Sequence, residues 1–399
     1  MGTREQGWSV IIGVPKEIFP GENRVALVPL VIPNLKKIGL DVLVQSGAGL
    51  AAGYADSDYV DKGATIAPNR ASVFQQADII VQLLSYGSND RNGREDLPLF
   101  RRGQVVIGFF RPLGSLDVLN EIKATGVTTF SVELMPRITR AQSMDALSSM
   151  ATICGYKAVL LAASTVPRLF PMLTTAAGTI TPARVLVIGA GVAGLQAIAT
   201  GRRLGAVVSA YDLRPVVKEQ VQSLGGRFVE LPLEVKDAQD AGGYAKAQDE
   251  AFYAKQRELL GNVIAESDVV ITTAVVPGKK APVLVTKEMV ARMARGSCIV
   301  DLAAERGGNC ELTKPGENVA TGNGVTIIGT INLASSVPYH ASQMYARNLT
   351  TFLTHLVKDG KINFNLEDEI TRETLVTRDG EIVNERVRQF FQLPSLVNA

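Results

Sequence analysis

One stretch restricts this chain more than any other: RVLVIGAGVAGLQAIATGRRLGAVVSAYD, residues 184–212. Gly189, Gly191 and Gly194 form a G-x-G-x-x-G motif. The apolar run RVLVIG leads straight into it, and a helical stretch, LQAIATGRRLG, follows. Strand, glycine turn and helix in that order aim a helix N-terminus at a diphosphate. Gly189 permits the tight turn, Gly191 lets backbone approach a pyrophosphate, and Gly194 lets helix and strand pack closely. Asp212 ends the next predicted strand, 18 residues after Gly194. A carboxylate there accepts hydrogen bonds from a ribose 2′-hydroxyl and repels a 2′-phosphate, which favours NAD(H) over its 2′-phosphorylated counterpart. Arg214, an arginine of the kind that accommodates such a phosphate, reads as secondary beside the acid. An earlier glycine cluster, Gly47, Gly49 and Gly53, has its third glycine one place late and no apolar helix behind it. It reads as a plain turn.

The rest of the chain alternates in the same way. Apolar, β-branched runs at 9–14, 41–46, 78–84, 104–110 and 127–135 are separated by helical stretches. A second series runs 184–189, 207–212, 226–231, 268–275, 297–303 and 325–329. Near-continuous apolar strands between helices predict parallel sheets covered on both faces. A length of 399 residues suits two domains. The expectation is an α/β chain of two Rossmann-like, doubly wound parallel-sheet domains joined by long helices. Residues 1–142, completed by 335–399, form the first, and residues 143–334 form the nucleotide-binding second. A helix is predicted from Ser143 to about Val166, a linking loop over 167–182, a movable surface loop over 235–256, and a tail helix over 341–359. A tail hairpin turning at Asp379-Gly380 follows.

Composition narrows the function. Lys+Arg is 41 against Asp+Glu 39, a balance that argues against a strongly basic nucleic-acid binder. Three scattered cysteines (Cys154, Cys298, Cys310) and two histidines (His340, His355) support no disulfide framework and no metal site. Cys298 and Cys310 read as core sulfur, both histidines as packed or surface groups, and SDYVD and NLEDE as solvated faces. No stretch of roughly 18 apolar residues appears, since Ala151–Pro167 carries Lys157. The first residues lack an apolar signal core. These features predict a protein of a reducing compartment that does not itself enter a membrane.

GVPKEIFPGENRVALVP (13–29) together with residues 185–215 resembles the family of alanine dehydrogenase and of the NAD(H)-binding component of proton-translocating transhydrogenase. The resemblance covers nearly the whole chain and implies a dimer with NAD(H) on the second domain. Two activities share this family. Where alanine dehydrogenase would carry its catalytic lysine, histidine and aspartate, this chain has Leu84, Arg111 and Glu305. Oxidising an amino acid needs proton transfers and so a general acid or base. Passing a hydride between two nicotinamides needs placement alone.

PRITRAQSMDALSS (136–149) resembles the transhydrogenase segment that supplies such placement. The resemblance implies that Arg137, Asp145 and Ser148 orient the dihydronicotinamide and that Gln142 reaches the partner's NADP(H). It implies further that Ile138, Thr139, Arg140, Ser143 and Met144 lie against the cofactor. By spacing alone, the same residues read as a helix N-terminus that Ser143 caps and Asp145 favours. DAGGYAK resembles the family's mobile loop, so Gly243 and Tyr244 would fold over the nucleotide. Ala190, Val192, Leu213 and Val275 would line it largely through backbone. Lys16 and Arg24 are either structural ion-pair formers or cleft-facing groups. The resemblance thus implies an NADP(H)-binding component and a membrane-spanning proton-channel component as partners, and a cytoplasmic site at the inner membrane. The alternatives are an alanine dehydrogenase-like enzyme or a catalytically silent NAD-sensing module.

Overall fold

The computed structural model describes residues 10–231, 250–276, 278–358 and 360–396. Two compact units divide the chain: Met1–Met150 with Ser335–Ala399, and Ala151–Ala334. Five helices carry or flank the residues of interest: Ala146–Thr165 (α1), Val192–Arg203 (α2), Glu250–Ala265 (α3), Pro338–Leu356 (α4) and Glu369–Thr374 (α5). The first change of unit falls at Met150, inside α1, rather than ahead of Ser143. The second falls at Ser335, just before α4.

The first unit is built on Val10–Val14 (β1), Leu40–Gln45 (β2), Thr65–Ala67 (β3), Ile79–Leu84 (β4), Val105–Phe109 (β5) and Thr128–Ser131 (β6). These lie in the order β3-β2-β1-β4-β5-β6, all parallel. β5 is buried along its whole length, as a strand covered on both faces must be. The tail closes the β6 edge with an antiparallel hairpin, Leu375–Arg378 and Glu381–Ile382. It turns at Asp379-Gly380, whose φ values of 52° and 83° are the left-handed pair a tight hairpin needs.

The second unit is built on Arg184–Ile188 (β7), Val207–Tyr211 (β8), Arg227–Phe228 (β9), Val269–Thr272 (β10), Cys298–Asp301 (β11), Asn318–Ala320 (β12) and Thr326–Gly329 (β13). Their order is β9-β8-β7-β10-β11-β13-β12, parallel except for β12 at the edge. The order reverses between β7 and β10, and the crevice beyond their carboxyl ends is where such sheets take ligands. Ala158, Val159 and Ala162 of α1 are buried in this unit's core with Val185 and Val187 of β7. A Cβ on Gly155 would come within 2.0 Å of the Ala193 carbonyl, so α1 and the first turn of α2 touch through backbone. By length and composition α1 is long and apolar enough to cross a membrane, a property it shares with buried core helices, and its Ala158, Val159 and Ala162 lie in this core.

Several local expectations give way. Residues 167–182 are not a bare loop: Leu173–Thr175 pairs with Gly178–Ile180 in an exposed hairpin. Only Arg227–Phe228 of GRFVEL joins the sheet. Of the expected surface loop, residues 235–249 lie outside the described residues, and from Glu250 the chain is already helical. The tail helix starts at Pro338 and stops at Leu356, where Val357–Lys358 pairs with Lys361–Ile362. The early glycine cluster is a plain turn, pinned because the Asp56 carboxylate accepts from Ser46 Oγ (2.7 Å) and the Gly47 amide (2.9 Å).

Candidate active site

In the second unit, β7 runs into the glycine turn and α2 leaves it. Gly189 has φ 99°, and a side chain on it would strike Thr273 Oγ1, which instead donates to the Gly189 carbonyl at 2.9 Å. A Cβ on Gly194 would stand 1.8 Å from that same carbonyl, so only glycine lets α2 lie this close to β7. Gly191 is the opposite case: a Cβ there would meet nothing within 4 Å. Among the described residues, nothing fills the space at Gly191 in front of the α2 N-terminus, whose first amides have no acceptor within the helix. A diphosphate fits that cradle, and the helix dipole favours its charge.

Asp212 is 8% exposed at the end of β8. Its Oδ2 accepts the Ala190 amide at 2.7 Å, so that amide braces the turn from behind. Arg214 closes on the same carboxylate, with Nε to Oδ1 at 2.9 Å and Nη2 to Oδ2 at 2.8 Å. The arginine therefore neutralises the acid beside it. Val192 is exposed, and Leu213 and Val275 are half-buried around these strand ends. Gly243 and Tyr244 lie outside the described residues.

Sequence reasoning missed the brace beneath Val275. Asn309, fully buried, accepts the Ala274 amide and donates to the carbonyls of Ala274 and Pro282. Asp301, also fully buried, accepts from Thr272, Thr313 and the amides of Ala303, Asn309 and Cys310. An acid ending the apolar strand CIVD was the one available signal.

The segment 136–149 lies wholly in the first unit. After β6, the half-buried Glu133 carboxylate accepts from Ser131 and from the amides of Phe110 and Arg111. Burial pushes its pKa up against those donors. A short two-turn 3-10 segment, Thr139–Met144, then leads into α1. Thr139, Arg140, Gln142 and Ser143 are exposed on it and Ala141 and Met144 are buried; just before it, Arg137 is exposed and Ile138 half-buried. Met144 thus turns its side chain inward and leaves only backbone for a ligand. Ser143 does not cap the helix. Asp145 does, accepting the Ser148 amide at 2.8 Å and Ser148 Oγ at 2.6 Å, so these two candidates meet.

The remaining candidates resolve individually. Arg24 is buried and forks onto Glu22, whose side chain is fully enclosed, which makes it a structural ion pair; Lys16 is exposed. Cys298 and Cys310 are buried, and burial raises their pKa values to about 12 and 11. His340 is exposed, while His355 meets Asp368 at 2.9 Å. Neither acidic run is simply solvated: Tyr59 of SDYVD is fully buried, and Asp368 of NLEDE is an internal ligand of His355. Leu84 lends only its amide, to Glu17, and Glu305 accepts the Asn332 amide. Among the described residues, no cluster of three or more His, Cys, Asp or Glu is placed to hold a metal.

Residues 13–154 match the N-terminal domain, and residues 158–385 the C-terminal domain, of the family described as alanine dehydrogenase/PNT. The chain belongs to this alanine dehydrogenase/PNT family of oxidoreductases. It is 47% identical to an NAD(P) transhydrogenase alpha-subunit protein of Rhodospirillum rubrum over 94% of this chain and 97% of that protein. It is 28% identical to alanine dehydrogenase of Bacillus subtilis over 95% and 94% of the two chains. A solved transhydrogenase from Sinorhizobium meliloti superposes with a TM-score of 0.81 at 41% identity, covering 94% of this chain and 99% of that one. The match to the C-terminal domain takes in the second unit from residue 158 and also residues 335–385 of the tail that completes the first.

Proposed function

We propose that this chain is the NAD(H)-binding component of a proton-translocating transhydrogenase. It passes a hydride reversibly between NAD(H) on its second unit and NADP(H) on a partner component. Membrane-spanning partners couple that transfer to proton movement and hold the chain at the cytoplasmic face of the membrane. The observation that carries the reading is the exchange of chemistry between two sets of positions. Leu84, Arg111 and Glu305 replace the ionisable set of amino-acid oxidation, while Arg137, Gln142, Asp145 and Ser148 are all present. Relatives named as transhydrogenase alpha subunits at 42–47% identity support it.

The nicotinamide itself supplies the hydride, and the chain supplies placement. The clear cradle before Gly191 takes the pyrophosphate. Asp212 stands at the strand end where the ribose is expected, its carboxylate already engaged by Ala190 and Arg214, and because Arg214 is held on it the arginine is not free for a 2′-phosphate, which supports NAD(H). Asp145, fixed by Ser148, keeps acceptor capacity for the carboxamide, and Arg137 serves the same orientation. Gln142, exposed, addresses the partner's nucleotide. The exposed apolar hairpin around Met172, Leu173 and Ile180 supports a homodimer.

The test mixes the purified chain with an NADP(H)-binding partner and follows reduction of a nicotinamide analogue. Direct transfer from NADH is expected, with no turnover of pyruvate plus ammonium. Turnover of pyruvate with ammonium and none with the partner would establish the alanine dehydrogenase-like activity instead. NADH binding without either reaction would mark a sensing module.

A further inference from the structure

The turn Thr139–Met144 is fastened by the C-terminal tail. We infer that Asp368 is a positioning residue for hydride transfer: through Arg140 it fixes the segment that carries Gln142 and that directly follows Arg137. The inference rests on the transhydrogenase reading above and reassigns Arg140 from cofactor contact to anchor.

Arg140 Nη1 lies 2.7 Å from Asp368 Oδ2. Asp368 is itself held on its other oxygen. Oδ1 accepts the Thr371 amide at 3.0 Å, which caps α5, and stands 2.9 Å from His355 Nε2 of α4. Thr371 Oγ1 approaches the same His355 nitrogen at 3.3 Å. The carboxylate therefore has one position, set by two helices, and offers it to the turn. A second fastening lies alongside: Asn348 of α4, 8% exposed, donates Nδ2 to the Ser143 carbonyl at 2.8 Å.

A short 3-10 segment has poor hydrogen-bond geometry and does not hold its own shape. An ion pair whose arginine is 55% exposed adds little to folding. Placement is a different matter, because small displacements of orienting groups cost rate steeply. The pair is thus weak where stability is concerned and strong where geometry is.

Asp368→Asn is the informative variant, because asparagine caps a helix as well as aspartate does while it removes the charge and turns the oxygen facing Arg140 into a donor. Arg140→Gln removes the other partner, and Arg140→Lys keeps its charge. The full-length chain is combined with the NADP(H)-binding partner, and single-turnover hydride transfer, NADH affinity and melting are measured. Asp368→Asn and Arg140→Gln are each expected to slow transfer about tenfold. NADH affinity should stay within about twofold and melting within about 2 °C. The double variant should be no slower than the slower single, and Arg140→Lys should recover most of the rate. Wild-type transfer in Asp368→Asn, or losses that multiply in the double variant, would overturn the inference. A matching loss of NADH affinity in Arg140→Gln would do the same, returning Arg140 to the cofactor. Absence of transfer in the unmodified chain removes the functional reading, and this inference with it.

Discussion

Gly191 and Gly194 sit one helical turn apart and face opposite surroundings. A methyl group on Gly191 meets no atom of the described residues within 4 Å, and its φ of −77° suits any residue. Gly191→Ala should therefore melt within about 2 °C of the parent while losing at least about tenfold in NADH affinity, read by calorimetry. Gly194→Ala meets the Gly189 carbonyl and should cost about 1–3 kcal/mol in urea unfolding. Equal effects in the two would contradict the cradle. These glycines were legible because their spacing is local. The Asp301–Asn309 brace was not, since its partners are brought together only by the sheet. Glu17 supplies a pH prediction. Burial, then the neighbouring Glu22, raise its pKa to about 8 against the amides of Leu83 and Leu84 and the charge of Arg70. The folded chain then binds this proton more tightly than the unfolded chain does. Stability is greatest below the ordinary value of 4.5 and declines as pH rises toward 8. The slope is at most about 1.4 kcal/mol per pH unit. Glu17→Gln should flatten urea-measured stability across that window, and an unchanged slope would place the carboxyl's titration elsewhere.

At the scale of elements, the start of α1 does two jobs with one residue. Asp145 caps the helix, and the proposed function also makes it orient the carboxamide. The two roles separate by substitution. Asp145→Ala removes both and should lose about 1 kcal/mol of stability. Asp145→Asn keeps an acceptor for the Ser148 amide and should unfold like the parent. Its amide cannot accept from a second donor where the carboxylate does, so hydride transfer should still fall about tenfold. Full transfer in Asp145→Asn would reduce the residue to a cap. The main strands and the tail hairpin were legible because apolar runs and an Asp-Gly turn state themselves within a few residues. β3, β12 and the 173–180 hairpin were not. Each strand is three residues long, too short for a period to show, and the hairpin is exposed along both strands.

Across the whole molecule, both units arrange six parallel strands with the same reversal, at β1 and β4 in one and at β7 and β10 in the other. By topology alone, each offers a crevice for a dinucleotide. Sequence separates them, since only the second carries the glycine fingerprint, and the structure supplies a physical reason to keep them apart. In the second unit nothing among the described residues fills the space at Gly191 by the reversal point. In the first, Glu17 follows β1 and places its buried carboxylate against the ends of β4, accepting the amides of Leu83 at 2.6 Å and Leu84 at 3.2 Å. Amides that would otherwise face an anion are already satisfied by an acid from the chain itself. One dinucleotide per chain is the expected stoichiometry of an NADH titration followed by calorimetry. Gly191→Ala should weaken that single site rather than expose a second one. A stoichiometry of two would require Glu17 to leave its amides, and Glu17→Gln would then change the weaker site alone.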